Sequence, residues 1–226
     1  METYVVRVWL PDRPGALGQV ASRIGAVRGE IVGIDILERG AGRAIDELVV
    51  DLPEGADRDL LVQEIQQVDG VDVEEIRPVA DALHDPRLDA LETVAILVGA
   101  TDRDALVRSV VEHARRAVGA EWSAVVSLQD GEVLAEEGPV PAPAWLVAFV
   151  EGSRSSSRVM AGESGPDDVV WSPLPSAGMA LVVGRTGTAY RARERRQVAA
   201  LARIVDTRLR EIGRLQSLLH HPSIAR

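Results

Sequence analysis

Apolar residues at the start of the chain fall on every second position. Tyr4, Val6, Val8 and Leu10 alternate with Val5, Arg7 and Trp9, the period of a strand with one well-buried face. After Leu10 the period changes. Leu17, Val20, Ile24 and Val27 recur at three- and four-residue steps, which predicts an amphipathic helix over 16–28. Two β-rich runs follow, 31–37 and 44–52, around a connector whose Gly40 and Gly42 suit a hairpin. Asp57 is placed to cap a second helix, in which Leu61, Ile65 and Val68 share a face. Gly70 is placed to end it, and 71–76 reads as a last strand. The order βαββαβ predicts an open antiparallel sheet with both helices on one face, a ferredoxin-like layout over residues 1–80.

The pattern beyond residue 80 predicts a second domain over 84–213, so that the chain as a whole is α+β. A short connector over 79–86 leads to a helix over 87–98 that places Leu88, Leu91 and Ala95 on one stripe. Thr101-Asp102-Arg103-Asp104 forms a capping-box variant before a helix carrying Leu106, Val110, Ala114 and Ala117. Residues 122–128 alternate as a strand, and Gln129-Asp130-Gly131-Glu132 signals a hairpin into 133–135. A short apolar segment at 144–150 precedes a Ser- and Gly-rich stretch, 153–168, that reads as a mobile loop. Strands at 169–173 and 179–184 then lead to one long helix that begins near Ala192. Along it Val198, Leu201, Val205, Ile212, Leu215 and Leu219 form a seam broken by Arg208, a spacing that suits pairing between two copies; the alternative is that the first half packs on its own sheet and the remainder is solvated. Residues 214–226 are expected to be helix end and tail.

The junction between the first strand and the first helix carries the candidate chemistry. Pro14 has no N–H and a fixed φ, so the strand ends before it, and Gly15 lets the backbone turn sharply into the helix. The result is a helix N-terminus with exposed donors beside the carboxylate of Asp12, an arrangement that favours a small anion such as the carboxylate of an amino acid. In this position, at the start of a βαββαβ pattern, Asp12-Arg13-Pro14-Gly15-Ala16-Leu17 resembles the ligand loop of the ACT family, small regulatory modules that bind amino acids. The resemblance covers residues 3–79. It implies modules that pair through sheet edges and helices, with the effector at the interface. Asp12, Arg13, Pro14, Gly15, Ala16 and Leu17 would form the loop of one copy, and Val32 and Gly33 the backbone that faces it from the other. Many amino-acid-binding members carry Asn where this chain has Asp12; a carboxylate there accepts from an ammonium and repels a carboxylate.

The second domain is similar to GAF domains in its order of parts. The resemblance is carried by Ala180-Leu181-Val182-Val183-Gly184-Arg185, then Tyr190, then the helix through 194–209. Departures are plain as well. With neither Asn nor Lys in the chain, the Asn-Lys-x-Asp signature of cyclic-nucleotide binders is missing, and with no Cys there is no covalent bilin attachment. Trp122, Trp145, Phe149 and Trp171 are candidates either for a small-molecule pocket or, as is commoner for aromatics in a small domain, for core.

Composition narrows the classes of function. At 46 % hydrophobic and 27 % charged the 226 residues read as globular, and no apolar run approaches the roughly 20 residues that span a bilayer. An amino terminus that enters a strand directly, together with the lack of Cys, points to a cytoplasmic protein without disulfides or thiolate metal sites. All 25 basic residues are arginine, a skew of the kind found in GC-rich, actinobacterial genomes, and it leaves no lysine for Schiff-base or P-loop chemistry. A net charge of −10 disfavours nucleic acid, and the arginines of 191–196 read as a solvated helix face. His84, His113, His220 and His221 lack the spacing of a metal site, and the serines of 153–157 lack a nucleophile context, so no metal, cofactor or catalytic group is expected. The sequence therefore predicts a non-catalytic regulatory homodimer with an unknown protein partner. A small molecule, expected to be an amino acid, binds the first domain and is relayed to the second. The alternative is a ligand-free scaffold dimer that only holds partner proteins.

Overall fold

The alternation at the amino terminus becomes β1, Glu2–Pro11. It is followed by α1, Ala16–Ala26; β2, Glu30–Gly40; β3, Arg43–Leu52; α2, Arg58–Gln66; and β4, Asp72–Val79. The structure, a computed structural model, describes residues 1–79, 86–156 and 166–220. The connector expected at 79–86 falls almost wholly outside these residues, as do 157–165 of the Ser- and Gly-rich stretch, His84, His221 and the end of the tail. The chain divides into two compact units, one built on β1–β4 and one on the elements that follow.

In the first unit the sheet order is β2-β3-β1-β4, with every neighbouring pair antiparallel, as the βαββαβ pattern predicts. One face carries Tyr4, Val6, Val8 and Leu10 of β1 and Ala44, Leu48, Val50 and Leu52 of β3. Ala16, Val20 and Ile24 of α1 and Leu61 and Ile65 of α2 pack onto that face and close the core. The single-face expectation for β1 is too simple, however: Val5 and Arg7 on the opposite face are buried too. The Arg7 guanidinium donates to the Glu47 carboxylate at 2.9 Å, which answers both charges.

Asp57 caps α2 as expected, its carboxylate accepting from the N–H groups of Asp59 and Leu60. Asp57→Ala removes both acceptors and is expected to cost about 1 kcal/mol of first-unit stability, read from the shift of its urea midpoint.

The second unit contains α3, Pro86–Gly99; α4, Arg103–Ala117; β5, Trp122–Ser127; β6, Val133–Glu137; α5, Pro143–Arg154; β7, Val169–Leu174; β8, Met179–Gly184; and α6, Ala192–His220. Its sheet, in the order β6-β5-β8-β7, is antiparallel throughout. Val125, Leu181 and Val183 pack on one side with Leu106 and Val110 of α4 and Val198 and Val205 of α6. Ala124, Val126 and Val182 pack on the other with Leu146 and Val150 of α5.

Three expectations for this unit need correction. The cap of α4 is Asp102, whose carboxylate accepts from Ala105 N–H at 2.8 Å, so Asp104 lies one position too early for a reciprocal box. Leu88, Leu91 and Ala95 do not face the core; α3 buries Thr93 and Leu97 instead and leaves Leu91 70 % exposed. A helix whose apolar residues are spread around its axis rather than gathered in one stripe gives little sequence signal for which side packs. Finally, Val198, Leu201, Val205 and Ile212 of the expected pairing seam are buried in their own unit, and of its described side chains Leu215 stays exposed. The helix continues past residue 213 to His220.

Candidate ligand-binding site

The loop after β1 is folded back onto the β2–β3 hairpin. Asp12 N–H donates to Gly42 O at 2.9 Å and Arg13 N–H to Pro11 O at 2.8 Å. Gly15, the N-cap of α1, takes φ of 86°, a left-handed conformation that side chains other than glycine adopt only with strain. No side chain caps this helix, and its first turn holds no acidic residue. Ala16 N–H is already satisfied by Arg13 O at 3.3 Å, so fewer donors are open than the sequence implies. The N–H groups of Leu17 and Gly18 have no acceptor among the described residues. They lie at the positive end of the helix, where an anion is stabilised.

Within one chain the structure brings Asp12, Arg13, Pro14, Gly15, Ala16 and Leu17 together but not Val32 and Gly33. Gly33 pairs with Val49, which lies six positions along β3 from Arg43 at the hairpin end. That is roughly 20 Å at the rise of a strand. The β2 residue beside the loop is instead Arg39, whose guanidinium lies 3.8 Å from the Asp12 carboxylate. Val32, in a bulge of the edge strand, is 51 % exposed, and Ile34 and Ile36 are exposed beside it.

Asp46 is the residue that sequence reading missed. It pairs with Val8 of β1 and Ile36 of β2 and shares the helix-covered face with Ala44, Leu48 and Val50. Only 4 % of it is exposed, and its Oδ1 has no hydrogen-bond partner. Burial pushes its carboxyl above the ordinary carboxylate range, Arg39 opposes the shift, and Asp12 adds to it. Because the folded chain holds this proton more tightly than the unfolded chain, the group favours folding at low pH. That advantage is lost as pH rises through the raised folded value. Asp46→Asn is therefore expected to raise first-unit stability at neutral pH, with the gain shrinking toward about pH 4, near the ordinary carboxylate value. Urea unfolding of both proteins across that range checks it, and a less stable variant at pH 7 would contradict it.

The other candidates resolve differently. Trp122 meets Trp145 edge-on at 6.5 Å, and Trp145 stacks on Phe149 at 5.3 Å. Trp122 is buried in the α5-side core, and Phe149 and Trp171 pack partly buried against it. His113 is buried on α4 with Nδ1 2.8 Å from Ser109 O. Arg195 of the basic run reaches Tyr190 O at 3.2 Å and the Asp167 carboxylate at 3.8 Å. Among the described residues no group of three or more His, Cys, Asp or Glu is arranged to hold a metal, and no helix is long and apolar enough to cross a membrane. A hollow of about 790 Å³ opens at the start of α4, lined by Arg103, Asp104, Arg108, Asp130, Glu132 and Ser176 among others. Ser176 is held there by Asp206, which accepts from its N–H at 2.8 Å and its hydroxyl at 2.6 Å.

Comparison with known proteins places a family on the first unit. Residues 4–70 match the family model of the ACT domain. A regulatory, small-molecule-binding role is what that match implies for the segment. No curated protein matches the sequence. Among solved structures, the chain is similar to an ACT domain protein from Streptococcus pneumoniae, at 20 % identity over 37 % of this chain and 98 % of that one, with a TM-score of 0.30. It is similar to the GAF domain of a Pseudomonas syringae pv. tomato protein described as a sensor histidine kinase, at 14 % identity over 60 % and 92 %, with a TM-score of 0.37. A formyltetrahydrofolate deformylase from Pseudomonas putida KT2440 aligns at 14 % identity over 43 % of this chain and 38 % of that one, with a TM-score of 0.29.

Proposed function

We propose that the chain is a non-catalytic regulatory protein whose first unit binds a small zwitterion, an amino acid, at the start of α1. The observation that carries this reading is the pair of unanswered N–H groups, Leu17 and Gly18, at an uncapped helix start inside the segment that matches the ACT domain. Gly15 makes the left-handed turn directly before them. Binding at an interface between two copies accounts for the separation of Val32 and Gly33 from the loop of their own chain. The exposed Val32, Ile34 and Ile36 on edge strand β2 support such pairing. A ligand shared between copies would then change how they pair, and the change would pass to the second, GAF-like unit and to its protein partner.

Thermal-shift and calorimetric titration of the full chain with the twenty amino acids tests the reading. At least one is expected to raise the first unit's midpoint and to bind with a measurable Kd. Gly15→Asp, which puts a carboxylate and a strained backbone at the site, is expected to weaken that binding at least tenfold. Silence from all twenty, with Gly15→Asp behaving like the parent, would falsify it and favour the scaffold reading.

A further inference from the structure

A polar side chain sealed from water is normally paired, and each exception calls for an explanation. Asp46 is such an exception. It is 4 % exposed, lies on the covered face of the sheet, and its Oδ1 is buried with no hydrogen-bond partner among the described residues. Its neighbours across the ladder are the apolar Val8 and Ile36, which offer it nothing. Nothing in the fold requires an acid at this position, since Ala44, Leu48, Val50 and Leu52 fill the same face with apolar groups. The charges that act on it are Asp12, in the loop before α1, and Arg39, on β2. Arg39 is already turned to Asp12, 3.8 Å away.

We propose that Asp46 is the anchor for the ligand's primary ammonium group, so that the site recognises both poles of a zwitterion. The N–H groups of Leu17 and Gly18 take the carboxylate, and the buried Asp46 carboxylate takes the ammonium. This rests on the reading of the α1 start as a ligand site, and it specifies the ligand class: a molecule with a primary amine close to an acid group, in preference to a simple carboxylate. It also separates the roles of the two acids. Asp12 is exposed and has Arg39 3.8 Å away, whereas Asp46 is buried and its Oδ1 has no hydrogen-bond partner among the described residues. A divalent metal fits the same place poorly, because two carboxylates are too few ligands, and among the described residues no third His, Cys, Asp or Glu joins them.

Ionised Asp46 is the form that binds. In the free protein burial pushes its carboxyl up, and any proton it holds leaves to solvent when the ammonium arrives. Affinity is therefore expected to rise with pH through the acid range and then level off.

The test uses the full chain, the amino acid that binds the parent most tightly, and the same acid lacking its amino group. The parent is expected to prefer the amino acid at least tenfold. Asp46→Asn, which keeps size and shape, is expected to lose that preference and the pH dependence while unfolding at a higher temperature than the parent at neutral pH. A gain in stability together with a loss of binding is a pattern that a purely structural residue does not produce. If the parent binds the des-amino acid as tightly as the amino acid, or if Asp46→Asn binds the amino acid like the parent, the role of Asp46 is overturned while the loop reading stands. If no amino acid binds the parent, both fall together.

Discussion

Replacing Arg185 with alanine is expected to destabilise the second unit by about 3–5 kcal/mol, the range for removing one partner of a buried ion pair. The guanidinium and the Glu194 carboxylate are 7 % and 5 % exposed and meet at 2.7 Å. Arg185 also donates to the carbonyls of Val118, Thr188 and Ala189 and lies over the Tyr190 ring, 4.0 Å from its centroid. One side chain thus fastens the turn after β8, the end of α4 and the first turn of α6. Alanine leaves three carbonyls without their donor and removes the cation that faces Glu194 in a nearly dry setting. Arg185→Lys is expected to recover a part only, because an ammonium cannot reproduce the fork that meets both Glu194 oxygens. Urea unfolding followed by far-ultraviolet circular dichroism reads the loss. A midpoint within about 0.5 kcal/mol of the parent, the scale of a neutral surface change, would contradict the latch.

Gly138→Ala is the second large effect expected, about 2–4 kcal/mol of second-unit stability, and its origin is backbone collision rather than lost contacts. The residue sits directly after β6 with φ of 80°. A β-carbon built there would lie 2.2 Å from the carbonyl oxygen of Glu121, an atom that cannot swing aside as a side-chain tip can. Left-handed backbone alone costs alanine about 1–2 kcal/mol, and forced backbone movement adds a similar amount. Gly187→Ala is the matched control: its φ is 85°, but nothing lies within 4 Å of the added carbon, so only the conformational cost is expected. Equal midpoints for the two variants would show that the Glu121 contact yields freely.

Most of the first unit was legible because two kinds of local signal agreed there. Alternation set β1 and β3, Asp57 and Gly70 bracketed α2, and the loop from Asp12 to Leu17 lay between strand and helix as its residues required. Asp46 was legible in principle, since it falls in the inward set with Ala44, Leu48 and Val50, yet an acid in such a run reads as surface until burial is known. Arg7 was hidden for the same reason, its partner Glu47 being brought opposite only by strand pairing. In the second unit the apolar residues of α3 are spread around its axis, so Thr93 and Leu97, not Leu91, face the core for reasons set by tertiary packing. The spacing of Val198 to Ile212 is common to a helix on a sheet and a helix on a helix, and it could not choose between them. Long-range polar anchors such as Arg185 to Val118 leave no periodic trace at all.

The account rests on the start of α1 as the place where a zwitterion is held, and backbone amide NMR of the full chain reads that place directly. Adding the amino acid that stabilises the protein is expected to shift the amide resonances of Leu17 and Gly18 most strongly, in the direction of new hydrogen bonds. Smaller shifts are expected at Asp46 and its neighbour Ile36. Shifts confined to residues beyond 86, with Leu17 and Gly18 unmoved at saturation, would contradict it.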